Sequence, residues 1–137
     1  MNTQTQFLRR VLALDAIGTG TMAAGMVLGA QPLSTTLGMP AWLLSTLGLA
    51  LLPFAAWVGW LARRDYSKRS IAKPVWLLIA ANIAWAIDSA ILILSGWLPL
   101  TSIGMEFVAV QAVFTLGITT LEYVGLRRAT QRVIAHA

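Results

Sequence analysis

The chain has 137 residues, 58% of them hydrophobic and 11% charged, with no cysteine and a formal net charge of +5. A water-soluble domain carries about 25% charged residues on its surface, so this chain has too few to coat a water-facing exterior, and there is room for one domain only. The absence of cysteine excludes disulfides, thiolate metal sites and cysteine nucleophiles, and the only histidine, His136, lies next to last, where a frayed terminus makes a poor ligand or general base.

Four apolar stretches predict an all-α fold: a four-helix transmembrane bundle forming a single domain over residues 1–137, with helices at about 8–30, 40–62, 74–96 and 102–126. Each stretch approaches the ~20 residues that cross ~30 Å of hydrocarbon at ~1.5 Å per residue. All four are apolar nearly all round, unlike helices that lie on a membrane surface. The segment around Gln31–Met39 reads as a loop. Pro40 and Pro74 fall where the second and third helices should begin, a position at which a missing N–H costs nothing. Pro53 sits mid-helix and should kink the second span near Leu49.

The ten basic residues predict the orientation. Arg9 and Arg10 precede the first span. Arg63, Arg64, Lys68, Arg69 and Lys73 join the second to the third, and Arg127, Arg128 and Arg132 follow the fourth. With four crossings, all three groups fall on one side. The other two connections carry no Lys or Arg. Positive residues stay cytoplasmic, so both chain ends are expected in the cytoplasm of a bacterial inner membrane. This placement accounts for the basic balance without nucleic acid and makes the lipid bilayer the first partner. Trp42 and Trp97 mark the outer boundary, and Trp57, Trp60 and Trp76 the inner one; Trp85, mid-helix, is the exception. The first span is too long for a signal-peptide core and is read as retained.

The two halves share short strings. Leu37-Gly38-Met39 recurs as Ile103-Gly104-Met105, and Val58-Gly59 before two arginines recurs as Val124-Gly125 before two arginines, at offsets of 104 − 38 = 66 and 125 − 59 = 66. A tandem duplication of a two-helix hairpin would produce this as a parallel repeat, about an axis along the membrane normal. Chance similarity between apolar segments is the rival reading.

Four carboxylates lie inside predicted spans: Asp15, Asp88, Glu106 and Glu122. Each costs ~3 kcal/mol at the bilayer centre and should face protein or water. At ~100° per residue, Gly18, Gly25 and Gly29 fall beside Asp15, so Asp15 is expected in a tight contact against this glycine face. Asp15, Asn82 and Glu122 come from three helices at similar depth, and Asn82 is 82 − 15 = 67 positions after Asp15. They form the candidate intramembrane polar cluster. The plain alternative for Glu122 is snorkelling toward Arg127 and Arg128. Asp88, in the outer half of the third span, has no cation inside any span. Glu106 is expected in the first turn of the fourth, on the face opposite Gln111, with a structural role. No phosphate loop, nucleophile–base pair or metal set is visible, so neither catalysis nor a cofactor is expected.

The strings LRRVLALDAIGTG, LLPFAAWVGWLARR, ANIAWAIDS and EYVGLRR resemble a family of small four-helix bacterial inner-membrane proteins, over nearly the whole chain. A looser similarity links the chain to DoxX-like four-helix proteins. The resemblance implies the fold and the membrane, and no activity. Two functions are therefore expected: a non-enzymatic helix-packing or accessory component, as a homo-oligomer or beside a larger membrane protein, or a small proton-coupled transporter or permeation path using the intramembrane carboxylates.

Overall fold

A computed structural model describes residues 3–64 and 72–135. Lys68, Arg69 and His136 fall outside the described residues, as does the Arg132 side chain. The described chain is helical: α1 (Thr3–Leu28), α2 (Ala30–Leu37), α3 (Ala41–Ala62), α4 (Ala72–Ser95) and α5 (Ser102–Ala135). The four long helices are each long and apolar enough to cross a membrane, and large apolar side chains such as Ile17, Leu77 and Val113 point outward from them. This is an all-α bundle whose exterior suits lipid rather than water.

One element differs from the sequence expectation. The segment read as a loop around Gln31–Met39 coils into α2. Gly29 ends α1, and Pro32 is tolerated because it falls in the first turn, where no intrahelical N–H is needed. Gly38 ends α2 in the left-handed region (φ 73°), donating its N–H to Ser34 O at 3.0 Å. Leu33 and Leu37 give α2 an apolar face that packs into the core at the end of the bundle away from the arginines. Pro40 caps α3, and Pro74 lies in the first turn of α4, as expected. The helix α3 runs through Pro53 without interruption. Thr101 caps α5: its Oγ1 accepts from the Gly104 N–H at 3.0 Å and donates to Thr36 O at 2.6 Å, which ties α2 to the α4–α5 connection. Because α5 begins at Ser102, Glu106 lies past its first turn and is not the dipole-facing acid expected there.

The helices surround two apolar cores. The first, at the end that carries Arg9, Arg63 and Arg127, joins Leu8, Leu12, Val58, Leu61, Leu78 and Leu126. The second, under α2, joins Met26, Leu37, Met39, Leu44 and Val108. The tightest helix pair is α1 with α3. A Cβ at Gly20 would lie 3.7 Å from Ala55 Cβ, and one at Gly59 would lie 3.7 Å from Ala16 Cβ; Gly48 abuts the Ala23 carbonyl and Val27. Close approach is therefore carried by Ala16, Gly20 and Ala23 on α1. The expected glycine face is not the contact: Gly18 meets Phe114, while Gly25 is exposed with nothing beside it. Asp15 instead faces α4 and α5.

Against α1, α5 is packed closely; α3 and α4 meet at few residues. Their seam is sealed at the basic end by Val58, Leu61, Val75 and Leu78. Beyond that layer it opens into a crevice.

Candidate functional site

The three residues of the candidate cluster come together between the two cores. Asp15, Asn82 and Glu122 are 6%, 5% and 0% exposed. Asn82 Nδ2 donates to Glu122 Oε2 at 3.3 Å, and Thr19 Oγ1 donates to Asp15 Oδ1 at 3.2 Å. Asp15 and Asn82 line the same cavity, which sets Asp15 beside the Asn82–Glu122 hydrogen bond. Asp15 Oδ2 and Glu122 Oε1 are left buried without a hydrogen-bond partner among the described residues. Snorkelling of Glu122 toward Arg127 and Arg128 does not occur. Both arginines are exposed, and Arg127 Nη1 donates to Tyr123 Oη at 3.3 Å. The reason is register: Asn82 on α4 lies level with Glu122, whereas the arginines leave on the solvent side of the next turn.

A second polar group lies one to two turns further from the arginines; the sequence marks Gln111 as an intramembrane polar residue but not its partners Trp85 and Ser89. Trp85 Nε1 donates to Gln111 Oε1 at 2.7 Å, Gln111 Nε2 donates to Ser89 Oγ at 2.9 Å, and Ser89 Oγ donates to Trp85 O at 2.8 Å. Trp85 is mid-span because its indole N–H has a partner there, which removes the exception to the interfacial pattern. The available signal was the pairing of the one misplaced tryptophan with the one intramembrane glutamine.

The crevice along the α3–α4 seam connects these groups. Its deepest part, of about 220 Å³, is lined by Asp15, Asn82, Thr115, Trp85 and Phe54. A middle part of about 180 Å³ shares Met22, Leu47 and Trp85 with it, and adds Gln111 and Asp88. An outer part of about 580 Å³ shares Leu47, Leu92 and Asp88 with the middle and reaches Trp42 and Trp97. Asp88 is exposed on the crevice wall and makes no hydrogen bond or ion pair to a described residue. Glu106 is exposed outside the crevice and borders a separate shallow hollow on α5, whereas Gln111 is half-buried and also lines the crevice. Among the described residues no group of three His, Cys, Asp or Glu side chains could hold a metal ion.

Fold and site together define a class: a small helical bundle with four helices able to span a membrane and two buried carboxyls, one of which lines a crevice on the α3–α4 seam. Comparisons with protein-family models, with curated proteins and with solved structures return no match.

Proposed function

We propose that this integral membrane protein is a small non-enzymatic carrier or permeation path in which the Asp15–Glu122 pair couples a bound molecule to a proton. The observation that carries the reading is the pair itself. Two carboxyls meet in the protein interior with one oxygen of each unpartnered, and one of them lines a cavity. Ionised carboxylates only accept hydrogen bonds, so a proton held between the two satisfies one oxygen and relieves like charge. Intramembrane carboxyls that reach a cavity are the usual parts of proton relays. Liposomes containing the purified protein, with a pH-sensitive dye inside, test this. An imposed pH gradient should collapse faster than in protein-free liposomes, and Asp15→Asn or Glu122→Gln should return the rate to background. A collapse rate equal to background in the unmodified protein refutes the reading.

The expectation of an accessory component, as a homo-oligomer or beside a larger membrane protein, draws support from a different observation. Gly25 is exposed with open space beside it, in the Gly25-Met26-Val27-Leu28-Gly29 pattern that suits close approach of another helix. Crosslinking in native membranes separates the two readings, because a carrier working as one chain needs no adduct.

The placement we propose is the bacterial inner membrane, with both ends cytoplasmic; the support is the gathering of basic residues at one end of the bundle. Reporter fusions at residue 35 and residue 68 should read periplasmic and cytoplasmic respectively. We also propose that the hairpins α1–α3 and α4–α5 arose by duplication. Its support is that the equivalent glycines Gly38 and Gly104 both pack at the outer connections, Gly38 against Pro99 and Gly104 against Leu37. Membership of the family of small four-helix inner-membrane proteins rests on the quoted strings alone.

A further inference from the structure

From the charge and shape of the α3–α4 crevice we propose that its ligand is a hydrophobic cation that enters sideways from the lipid. This deepens the carrier reading and rests on it for the role of Asp15.

Charge is the first argument. The crevice walls hold two carboxylates, Asp88 and Asp15, and no Lys, Arg or His. All described basic side chains lie at the basic end, beyond the layer of Val58, Leu61, Val75 and Leu78 that closes the seam there. An anion would meet only like charge along this path and no compensating partner. A neutral apolar molecule would fill the space but leave the exposed Asp88 carboxylate unanswered. A cation answers it.

The second argument is the state of Asp15. It is 6% exposed, its Oδ2 has no hydrogen-bond partner among the described residues, and it lines the deepest part of the crevice. That Oδ2 atom is itself enclosed, so a ligand would meet Asp15 through the part of its side chain that lines the cavity beside Thr19 and Asn82. Nothing on α3 provides a partner, because the crevice wall from that helix is Leu47, Ala50, Leu51 and Phe54.

The third argument is the lining. Trp85, Phe54 and Phe107 present aromatic rings, whose faces attract a desolvated cation. Met22, Met26 and Met39 contribute flexible thioether side chains that adapt to irregular shapes. The route is set by the seam: closed at the basic end, open along the flank of α3 and α4, with Asp88 exposed on the wall about three turns of α4 beyond Leu78 of that closure. A cation partitioned in the bilayer would meet Asp88 first and Asp15 last.

Tetraphenylphosphonium and tetraphenylborate have the same shape and opposite charge, and they provide the test. Equilibrium dialysis of the purified full chain in neutral detergent micelles, against protein-free micelles, should show saturable retention of the phosphonium only. Asp88→Asn, at an exposed position where folding is not at risk, should weaken that retention by about fivefold or more, as expected for losing one charge at the edge of a half-wet site. Asp15→Asn should abolish it. Equal retention of the borate, retention of neither ion, or an unchanged affinity in Asp88→Asn would overturn the proposal; equal retention would mean a crevice that takes any apolar occupant, an acyl chain included. The carrier reading fails separately. If the phosphonium binds as expected and no pH gradient collapses, the ligand class stands and proton coupling falls. If the gradient collapses and the phosphonium does not bind, the coupling stands and the ligand class falls.

Discussion

At the scale of single residues, the interior contains polar groups that hold helices in register and polar groups that the packing leaves unsatisfied. Trp85, Gln111 and Ser89 belong to the first kind, with each donor matched to an acceptor. Trp85→Phe removes the indole donor and strands Gln111 Oε1. Interhelical hydrogen bonds in membranes are worth ~0.6 kcal/mol on average and at most ~2 kcal/mol. Unfolding in mixed micelles should therefore show a loss of about 1 kcal/mol, with no change of fold. Asp15 and Glu122 belong to the second kind. Glu122→Gln keeps an acceptor for Asn82 and removes the like charge facing Asp15, so its stability should equal or exceed that of the unmodified chain while proton flux is lost. Glu122→Leu strands Asn82 and should be less stable than Glu122→Gln, by about 1 kcal/mol or more. The same unfolding assay ranks both variants; the reverse order would mean that the pair is a packing device.

At the scale of elements, small residues decide which helices touch. In lipid there is no hydrophobic drive between helices, so close packing supplies the attraction. A Cβ at Gly48 would lie 2.7 Å from Val27 Cγ2 and 2.8 Å from the Ala23 carbonyl oxygen, and neither neighbour can yield without moving α1. Gly48→Ala should destabilise the bundle by about 1–3 kcal/mol. Gly25→Ala meets open space and should be neutral or stabilising by up to about 1 kcal/mol, from helix propensity alone. Comparing the two in one micellar unfolding series tests whether α1 uses its Ala16–Gly20–Ala23 face. If Gly25→Ala is the damaging change, the contact face is the other one. Reading that face from sequence was not possible, because α1 carries small residues on several sides: Ala13, Ala16, Gly18, Gly20, Ala23, Ala24 and Gly25. Only the position of a complementary Gly48, Ala55 and Gly59 on α3 selects one of them.

At the scale of the whole molecule, the bundle is uneven, and the unevenness creates the site. Two equivalent hairpins would give α1–α5 and α3–α4 contacts of equal closeness, yet the first seam is closed and the second is open beyond its basic end. The chain has no cysteine, so the seam can be locked without background. Leu47→Cys with Leu92→Cys, joined by a short bifunctional maleimide, would bridge α3 and α4 across the crevice walls. This should stop phosphonium retention and proton flux together. Gly20→Cys with Ala55→Cys places two Cβ atoms about 3.7 Å apart, close to the ~3.8 Å of a disulfide, and should oxidise readily with neither function lost. Loss of function in the second pair, or retention in the first, would place the working region elsewhere.

The sequence by itself determined the helical class, the four helices long and apolar enough to cross a membrane, and the gathering of positive charge at one end. These depend on composition and run length, and a bilayer enforces them on any chain that must satisfy its backbone hydrogen bonds internally. It also brought Asp15, Asn82 and Glu122 to one depth, because depth follows from residue count along a straight helix. What it did not determine was direction around each helix axis. Spans that are apolar on all sides carry almost no facing signal. The contact face of α1, the coiling of Gln31–Leu37 into α2, the Trp85–Gln111–Ser89 network and the open α3–α4 seam were all decided by tertiary packing. The crevice follows from that last decision: small residues draw α1 against α3 along its length, while α3 and α4 meet at few residues and the large side chains of Trp85, Leu92, Phe54 and Leu47 wall the gap between them.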